Sequence, residues 1–150
     1  MIKGDPEFDL IAQYIANTCN LDISKFKQFN LFKLERKGEG ERFEAFKSLK
    51  NRRLLFHGSA MTNMLGILSQ GLRIAPPEAP TTGYMFGKGV YFADTFDKSA
   101  AYTSGHQSRL MLICEVALGE MMDLYQSFFV ENLPSKFNSV RGCGAKGPDY

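Results

Sequence analysis

The chain has 150 residues, of which 44% are apolar, 13% aromatic and 23% charged. This profile is typical of one globular domain with its own core, and it excludes disorder over most of the length. Eighteen Lys and Arg residues against sixteen Asp and Glu residues give a net charge of +2, which is too small to indicate a nucleic-acid or acidic-membrane partner by its field alone.

The three cysteines, Cys19, Cys114 and Cys143, lie far apart and form no C-x-x-C pair. Their odd number and wide spacing argue against a zinc site and a disulfide framework, and favour a reducing compartment. The N-terminal sequence has neither the apolar stretch of a signal peptide nor the Arg- and Ser-rich pattern of a transit peptide. No apolar run is long enough for a membrane span. We therefore expect an intracellular protein without a membrane partner.

The first predicted element is a helix over residues 6–17. Asp5 supplies an N-cap acceptor, Pro6 occupies the first turn, and apolar residues follow at helical spacing. In residues 27–36, aromatic and aliphatic side chains are separated by polar ones, and two glycines follow. This alternation predicts a strand with a bulge in its middle, where the pattern slips by one residue.

Two helical segments and a strand are predicted next. Apolar residues three apart predict one or two helical turns over residues 41–49. An apolar run over residues 53–58 ends in a glycine and predicts a short buried strand. Residues 61–70 have an apolar face at helical spacing and stop at Gly71, a residue type that accepts the left-handed conformation after a helix.

A long loop is predicted over residues 72–89, which contain three prolines and three glycines. Long loops inside compact domains are usually functional. A short strand is predicted over residues 90–93. It precedes a helix that includes residues 98–102 and for which Asp94 and Thr95 offer caps.

The C-terminal third is predicted to be rich in strands. Residues 109–118 are almost continuously apolar, as expected for a strand in the centre of a sheet, and a short strand follows over residues 121–125. The tail after Leu133 is rich in Gly, Pro, Ser and Asn and is predicted to be a loop. Strands and short helices dominate the chain and do not alternate regularly, which is typical of an α+β fold.

Two glycine-rich segments resemble phosphate-binding motifs but lack the required context. Residues 142–147 match G-x-G-x-x-G, but no predicted strand precedes them and Pro148 follows, so they cannot open a dinucleotide-binding helix. Residues 83–89 are one residue short of a P-loop and carry glycine where Ser or Thr would hold a metal. We reject both motifs.

A different group of segments points to a function. They are LLFHGS at residues 54–59, GILSQGLRIAPPEAP at 66–80, TGYMFGKGVYFAD at 82–94 and KSAAY at 98–102. Together they resemble the nicotinamide adenine dinucleotide (NAD) site of the poly(ADP-ribose) polymerases, the DNA-damage type in particular, and the resemblance runs from Asp5 to the end. It implies an α+β, ADP-ribosyltransferase-like fold in which mixed or antiparallel sheets and short helices surround an NAD cleft. It also implies cleavage of the nicotinamide–ribose bond through an oxocarbenium-like transition state, with transfer of ADP-ribose to a protein side chain or a growing polymer.

The nicotinamide part of the site begins at the end of the strand predicted over residues 53–58. A glycine there lets a flat ligand approach the backbone and use its N–H and C=O. By the resemblance, Gly58 supplies this pair to the carboxamide of nicotinamide, and the Ser99 hydroxyl adds a third hydrogen bond. Tyr102 would stack on the ring with Tyr91 close by, and His57 would bind a ribose hydroxyl of NAD.

The resemblance assigns further roles. Ser59, Asn63 and Arg73 would line the adenosine half of NAD. His57 and Tyr91 would be catalytic residues, and so would Lys98, on the acceptor side. Ordinary structural alternatives stay open for several of them: a structural histidine for His57, core aromatics for Tyr91 and Tyr102, a solvated lysine for Lys98 and an exposed hydroxyl in a first helical turn for Ser99.

The reaction asks for a carboxylate near the ribose to stabilise developing positive charge. In the family this glutamate lies on a strand that would come after residue 150, and none of Glu115, Glu120 or Glu131 stands in its position. The resemblance therefore implies that residues 1–150 are part of one catalytic domain that is incomplete at the C-terminus. The first hypothesis is an NAD-dependent ADP-ribosyltransferase, a glycosyltransferase. The alternative is a catalytically inactive NAD-binding or interaction remnant of the same fold.

The resemblance also implies partners and a location. NAD is the substrate, proteins are the acceptors, and no metal is needed. A nuclear location and a role in DNA repair follow from the family alone. DNA would act only through other domains of a parent protein.

Overall fold

The computed structural model describes residues 3–20, 29–75, 84–103 and 108–144. In these ranges the element order is α1 (Pro6–Thr18), α2 (Glu39–Glu44), β1 (Arg52–Gly58), α3 (Met61–Gln70), α4 (Phe96–Ala100), β2 (Met111–Ala117), β3 (Met121–Leu124) and β4 (Ser139–Gly142). Short helices accompany one antiparallel and one parallel pair of strands. The predicted α+β class is confirmed.

Helix α1 begins where the sequence predicts and packs on β1. The Asp5 side chain accepts a hydrogen bond from the backbone N–H of Glu7 at 2.9 Å, which satisfies one of the free donors at the helix start. Further along, the Tyr14 hydroxyl donates to the carbonyl oxygen of Leu54 at 2.8 Å. The Tyr14 ring also stacks on Phe56, with 4.8 Å between ring centroids. A single tyrosine therefore attaches the helix to the strand.

The predicted strands over residues 53–58 and 109–118 form an antiparallel pair. The register runs from Arg52 opposite Ala117 to Gly58 opposite Met111. Phe56, in the middle of β1, is fully buried, and its ring meets Phe96 of α4 edge to face. No other strand in the described ranges pairs with β2, so the expected position of β2 at a sheet centre is not seen there.

The parallel pair β3 and β4 contains one correct and one wrong prediction. The strand predicted over residues 121–125 is confirmed, but the tail after Leu133 is not all loop, because β4 lies within it. The strand conformation of β4 depends on its pairing with β3. Arg141 makes two hydrogen bonds of 2.8 and 2.5 Å to the Asp123 carboxylate, and the N–H of Cys143 donates to Leu124. These contacts are not visible in local sequence.

The strand predicted over residues 27–36 is wrong where the structure describes it, since residues 29–36 have no strand conformation. The alternating side chains serve other contacts. Phe29 stacks on Phe8 of α1 with 5.3 Å between centroids. Arg36 donates to the carbonyl oxygen of Ile67 in α3 at 3.1 Å and forms an ion pair with Glu39. Residues 27 and 28 lie outside the described ranges.

The helix predictions agree with the structure to different degrees. Helix α3 has the predicted bounds, and Gly71 follows it with a φ of 86°. Helix α2 begins at Glu39, before the predicted residue 41, and hydrogen-bonded turns continue it as far as Leu49. None of the described helices combines the length and apolar character needed to cross a membrane.

The region before β2 is less regular than predicted. The strand predicted over residues 90–93 is reduced to one bridge between Ala93 and Phe56. Helix α4 follows Thr95, which makes no side-chain cap hydrogen bond, and the helix ends before Tyr102. The predicted loop is irregular over residues 72–75 and 84–89, and its residues 76–83 lie outside the described part of the chain.

Candidate functional site

The C-terminal end of β1 presents an unusual pair of backbone groups. Phe56 exchanges two hydrogen bonds with Ala93, at 2.8 and 3.0 Å. In an antiparallel strand, successive residues turn their N–H and C=O to opposite neighbours. Gly58, two residues on, therefore turns both groups to the same side as Phe56, away from β2. One donor and one acceptor point together from the strand end.

Gly58 is required by its contact with α4. A β-carbon at this position would overlap the carbonyl oxygen of Ser99 and lie 3.2 Å from Cγ2 of Thr103. The Ser99 side chain is 3% exposed, and its hydroxyl donates to the carbonyl oxygen of Phe56 at 3.0 Å. The alternative of an exposed hydroxyl at Ser99 is therefore wrong. Strand and helix meet closely enough here that only glycine fits.

His57 is oriented by the backbone of Tyr91. Its Nδ1 atom lies 2.8 Å from the carbonyl oxygen of Tyr91. A carbonyl can only accept, so Nδ1 carries the hydrogen, and in the neutral ring Nε2 keeps its lone pair. The edge of the imidazole meets the Phe92 ring, with 5.7 Å between centroids. The geometry holds the ring with one acceptor nitrogen left for a ligand.

Tyr91 is not a core aromatic, because its side chain is 40% exposed. Its hydroxyl donates to the carbonyl oxygen of Gly87 at 2.7 Å and accepts the N–H of Phe86 at 3.1 Å. The Tyr84 ring lies against it at an angle, with 6.3 Å between centroids. Tyr91 thus lies between His57 and residues 84–87 of the predicted loop.

Helix α4 and the turn after it place two exposed side chains beside Ser99. Tyr102 is 63% exposed, and the ammonium group of Lys98 lies 6.0 Å from the centroid of its ring. A tyrosine this exposed contributes little to the core, so the core alternative for Tyr102 is wrong. Its exposed aromatic ring suits stacking on a planar ligand.

The residues predicted for the adenosine half separate into two groups. At the start of α3, Nδ2 of Asn63 donates to the Ser59 hydroxyl at 3.0 Å. Beyond the end of α3, Arg73 donates to the Gln70 side chain at 2.6 Å. Within the described ranges, no hydrogen bond joins Arg73 to Ser59 or Asn63. The structure brings the first two together and leaves Arg73 apart.

Carboxylates and metal ligands add little to this site. On β2, Glu115 forms an ion pair with Arg52 at 3.0 Å, at the far end of β1 from Gly58. Among the residues described, no group of three or more His, Cys, Asp or Glu side chains is arranged to hold a metal ion. A cavity of about 400 Å³ lies elsewhere, between α1, β1 and the turn at Asp94 and Thr95.

Sequence reasoning missed three residues that shape the site. Thr103 packs against Gly58, and Phe86 and Gly87 bind the Tyr91 hydroxyl. A signal for the last two was present in the segment rejected as a P-loop. Gly87 has a φ of 99°, a conformation that glycine adopts readily and that allows a tight turn.

Comparisons with known proteins agree with the motifs. A family model described as "Poly(ADP-ribose) polymerase catalytic domain" matches residues 5–150. The chain is 49% identical over 152 residues to "Poly [ADP-ribose] polymerase 1" of Gallus gallus, covering 98% of this chain and 15% of that protein. It is 51% identical over 149 residues to "Poly [ADP-ribose] polymerase 2" of Arabidopsis thaliana, covering 95% of this chain and 23% of that protein. The chain therefore spans less than a quarter of these two curated relatives, and it belongs to the poly(ADP-ribose) polymerase catalytic-domain family.

Proposed function

We propose that residues 1–150 are part of the catalytic domain of an NAD-dependent protein ADP-ribosyltransferase of the poly(ADP-ribose) polymerase type. The enzyme cleaves the nicotinamide–ribose bond and transfers ADP-ribose to protein acceptors or a growing chain. The observation that carries the proposal is the contact of Gly58 with Ser99. This contact holds α4, which carries the buried Ser99 hydroxyl, against the strand end where the N–H and C=O of Gly58 face away from β2.

The nicotinamide ring would bind between these groups and the exposed aromatic rings. A carboxamide offers one acceptor oxygen and a donor NH₂ group, which match the N–H and C=O of Gly58. The Ser99 hydroxyl, on the helix that contacts Gly58, would add a third hydrogen bond, and the exposed Tyr102 would supply a ring for stacking. Tyr91 closes the other side. This complementarity supports nicotinamide over a ligand without an amide.

The remainder of NAD would extend from His57 towards α3. Nε2 of His57, left as an acceptor by the contact with Tyr91, suits a ribose hydroxyl. Ser59 and Asn63 form a polar pair at the start of α3, and Arg73 is exposed beyond its end. These side chains would bind the adenosine half.

The reaction places a demand on charge that the described residues do not meet. Departure of neutral nicotinamide leaves positive charge on the ribose, which a nearby carboxylate would stabilise. The resemblance assigns this role to a glutamate beyond residue 150. His57 and Tyr91 would then position the ribose, and exposed Lys98 would face the acceptor. We propose no metal for this step.

The alternative is a module that binds NAD without catalysis. It shares every contact described above and differs only in lacking the carboxylate. We also propose a nuclear location with protein acceptors as partners, and DNA recognition by other domains of a longer protein. Both statements rest on family membership.

The deciding experiment incubates the purified chain with NAD and measures binding and products separately. NMR should show the amide signals of Gly58 and Ser99 shifting on addition of NAD or nicotinamide. Mass spectrometry then tests for free nicotinamide and for ADP-ribose added to protein. Binding with both products supports an enzyme that acts without the glutamate assigned beyond residue 150. Binding without products is the result expected of both the module and an incomplete catalytic domain, and the same assay on a longer chain that carries this glutamate then separates them. A folded sample that binds neither ligand would contradict the site.

A further inference from the structure

The side chain of Tyr91 closes a small turn over residues 86–91. Its hydroxyl donates to Gly87 and accepts from Phe86, at 2.7 and 3.1 Å. We call this pair of hydrogen bonds the Tyr91 clamp. The only hydrogen of the hydroxyl is used by Gly87, so the hydroxyl has none left to donate to a ligand. Its role is therefore structural within the cleft.

The same turn is fastened from its other side by residues 127–130. The N–H of Val130 donates to the carbonyl oxygen of Phe86 at 3.2 Å, and the Ser127 hydroxyl donates to that of Met85 at 3.1 Å. A β-carbon on Gly87 would overlap the carbonyl oxygen of Val130. Residues 84–90 are thus held between the Tyr91 ring and a second segment, with little freedom to shift.

Tyr91 also faces the ligand site through its backbone. Its carbonyl oxygen accepts the Nδ1 hydrogen of His57 at 2.8 Å. One residue therefore fixes both the imidazole proposed to bind a ribose and the turn that adjoins it. Apart from the Tyr91 ring itself, the proposed nicotinamide contacts, at Gly58, Ser99 and Tyr102, lie on other elements.

We propose that Tyr91 is a positioning residue whose hydroxyl fixes residues 84–90 as a wall for the ADP-ribose part of the ligand. The inference rests on the proposed function for the identity of the ligand. Loss of the hydroxyl leaves the aromatic ring in place, so contacts to nicotinamide persist. Residues 84–90, beside His57, are then held less firmly. The ribose part of NAD, which His57 would contact, therefore binds more weakly.

The test is Tyr91→Phe, with Tyr125→Phe as the matched control on another exposed tyrosine. Hydrogen exchange of the Phe86 amide should accelerate about five-fold or more, the effect of one net hydrogen bond. The dissociation constants of NAD and ADP-ribose should rise by about the same factor, while that of nicotinamide changes by less than about two-fold. Tyr125→Phe should change none of these values.

A second variant keeps the test decisive if Tyr91→Phe folds poorly. Gly87→Ala displaces the turn from the side of Val130 and leaves Tyr91 intact. It should likewise raise the dissociation constant of ADP-ribose and leave that of nicotinamide nearly unchanged. Unchanged exchange at Phe86, or equal losses for all ligands, would overturn the positioning role. If the folded, unmodified chain bound none of the ligands, the proposed function would fall, whereas the Phe86 exchange rate would still decide the Tyr91 clamp.

Discussion

The hydroxyl of Ser99 donates a 3.0 Å hydrogen bond to the carbonyl oxygen of Phe56. The helix that would contact nicotinamide is thereby attached to the strand that would receive its carboxamide. The Phe56 oxygen also accepts the N–H of Ala93 at 3.0 Å, so it stays satisfied if Ser99 turns its hydrogen towards a ligand. Ser99 can therefore exchange one partner for another without leaving a buried acceptor unpaired.

Ser99→Ala should lower both stability and nicotinamide affinity. We expect the free energy of unfolding in urea to fall by about 1 kcal/mol, because one buried hydrogen bond is lost. Nicotinamide should bind about five-fold more weakly for the same reason. Ser69→Ala is the control, since that exposed hydroxyl bonds only within α3. Weakened stability with unchanged nicotinamide affinity would restrict Ser99 to a structural role.

Substitution of two glycines by alanine should have opposite effects. Gly58→Ala forces a β-carbon into the Ser99 backbone, and overpacking of this kind costs about 1–3 kcal/mol. Gly66 lies in α3 with open space around it, so Gly66→Ala should raise stability by about 0.5–1 kcal/mol. Urea unfolding measures both. Nicotinamide binding should be lost only in Gly58→Ala, and its retention there would contradict the carboxamide site.

Tyr102→Ala should separate ligand stacking from packing. Because the side chain is 63% exposed, the free energy of unfolding should change by less than about 0.5 kcal/mol. Calorimetry should show nicotinamide binding about three- to ten-fold more weakly and ADP-ribose unchanged, since only nicotinamide loses the stacked ring. Tyr125→Ala removes another exposed ring, 78% accessible, and should alter neither affinity. Equal losses for both ligands would argue against stacking at Tyr102.

The half-buried thiol of Cys114 should make stability fall at alkaline pH. Burial, opposed by Arg36 and reinforced by Glu39, raises the pKa of this thiol from 9.0 to about 11. The folded state therefore holds the proton more tightly than the unfolded state. This contribution is fully present below the unfolded pKa and is lost as the pH rises through the folded value.

Urea midpoints at about pH 8 and about pH 10.5 give the measurement for Cys114. The decrease between these conditions should be smaller in Cys114→Ala than in the unmodified chain. Burial and nearby Asp94 also raise the pKa of Tyr14, but this contribution is present in both proteins and cancels in the comparison. Identical decreases in the two proteins would show that the Cys114 thiol ionises normally in the fold.

Elements governed by neighbouring residues were predictable. Asp5 and Pro6 mark the start of α1, and Gly71, with its positive φ, marks the end of α3, because the contacts that begin and end a helix involve atoms within one or two helical turns. The apolar runs of β1 and β2 were equally clear. The sequence motifs around Gly58 and Ser99, taken in their order along the chain, were specific enough to indicate the family, which the family match confirms.

Elements that depend on a distant partner were not predictable. Residues 29–36 alternate like a strand but contact α1 and α3 instead, whereas β4 forms in a polar tail because its backbone pairs with that of β3. A strand needs a neighbouring strand to pair the N–H and C=O groups of its backbone. The local sequence pattern does not say whether such a neighbour exists.

The sequence by itself determined the start of α1, the bounds of α3 and the apolar runs of β1 and β2, and its resemblance to a family supplied the proposed ligand-binding residues. Only the tertiary structure decided how they meet. His57 and Tyr91 are 34 residues apart in sequence, and Ser99 and Phe56 are 43 apart, yet each pair is joined by one hydrogen bond. Such contacts depend on the relative placement of whole elements through packing, which residue type and spacing leave undetermined.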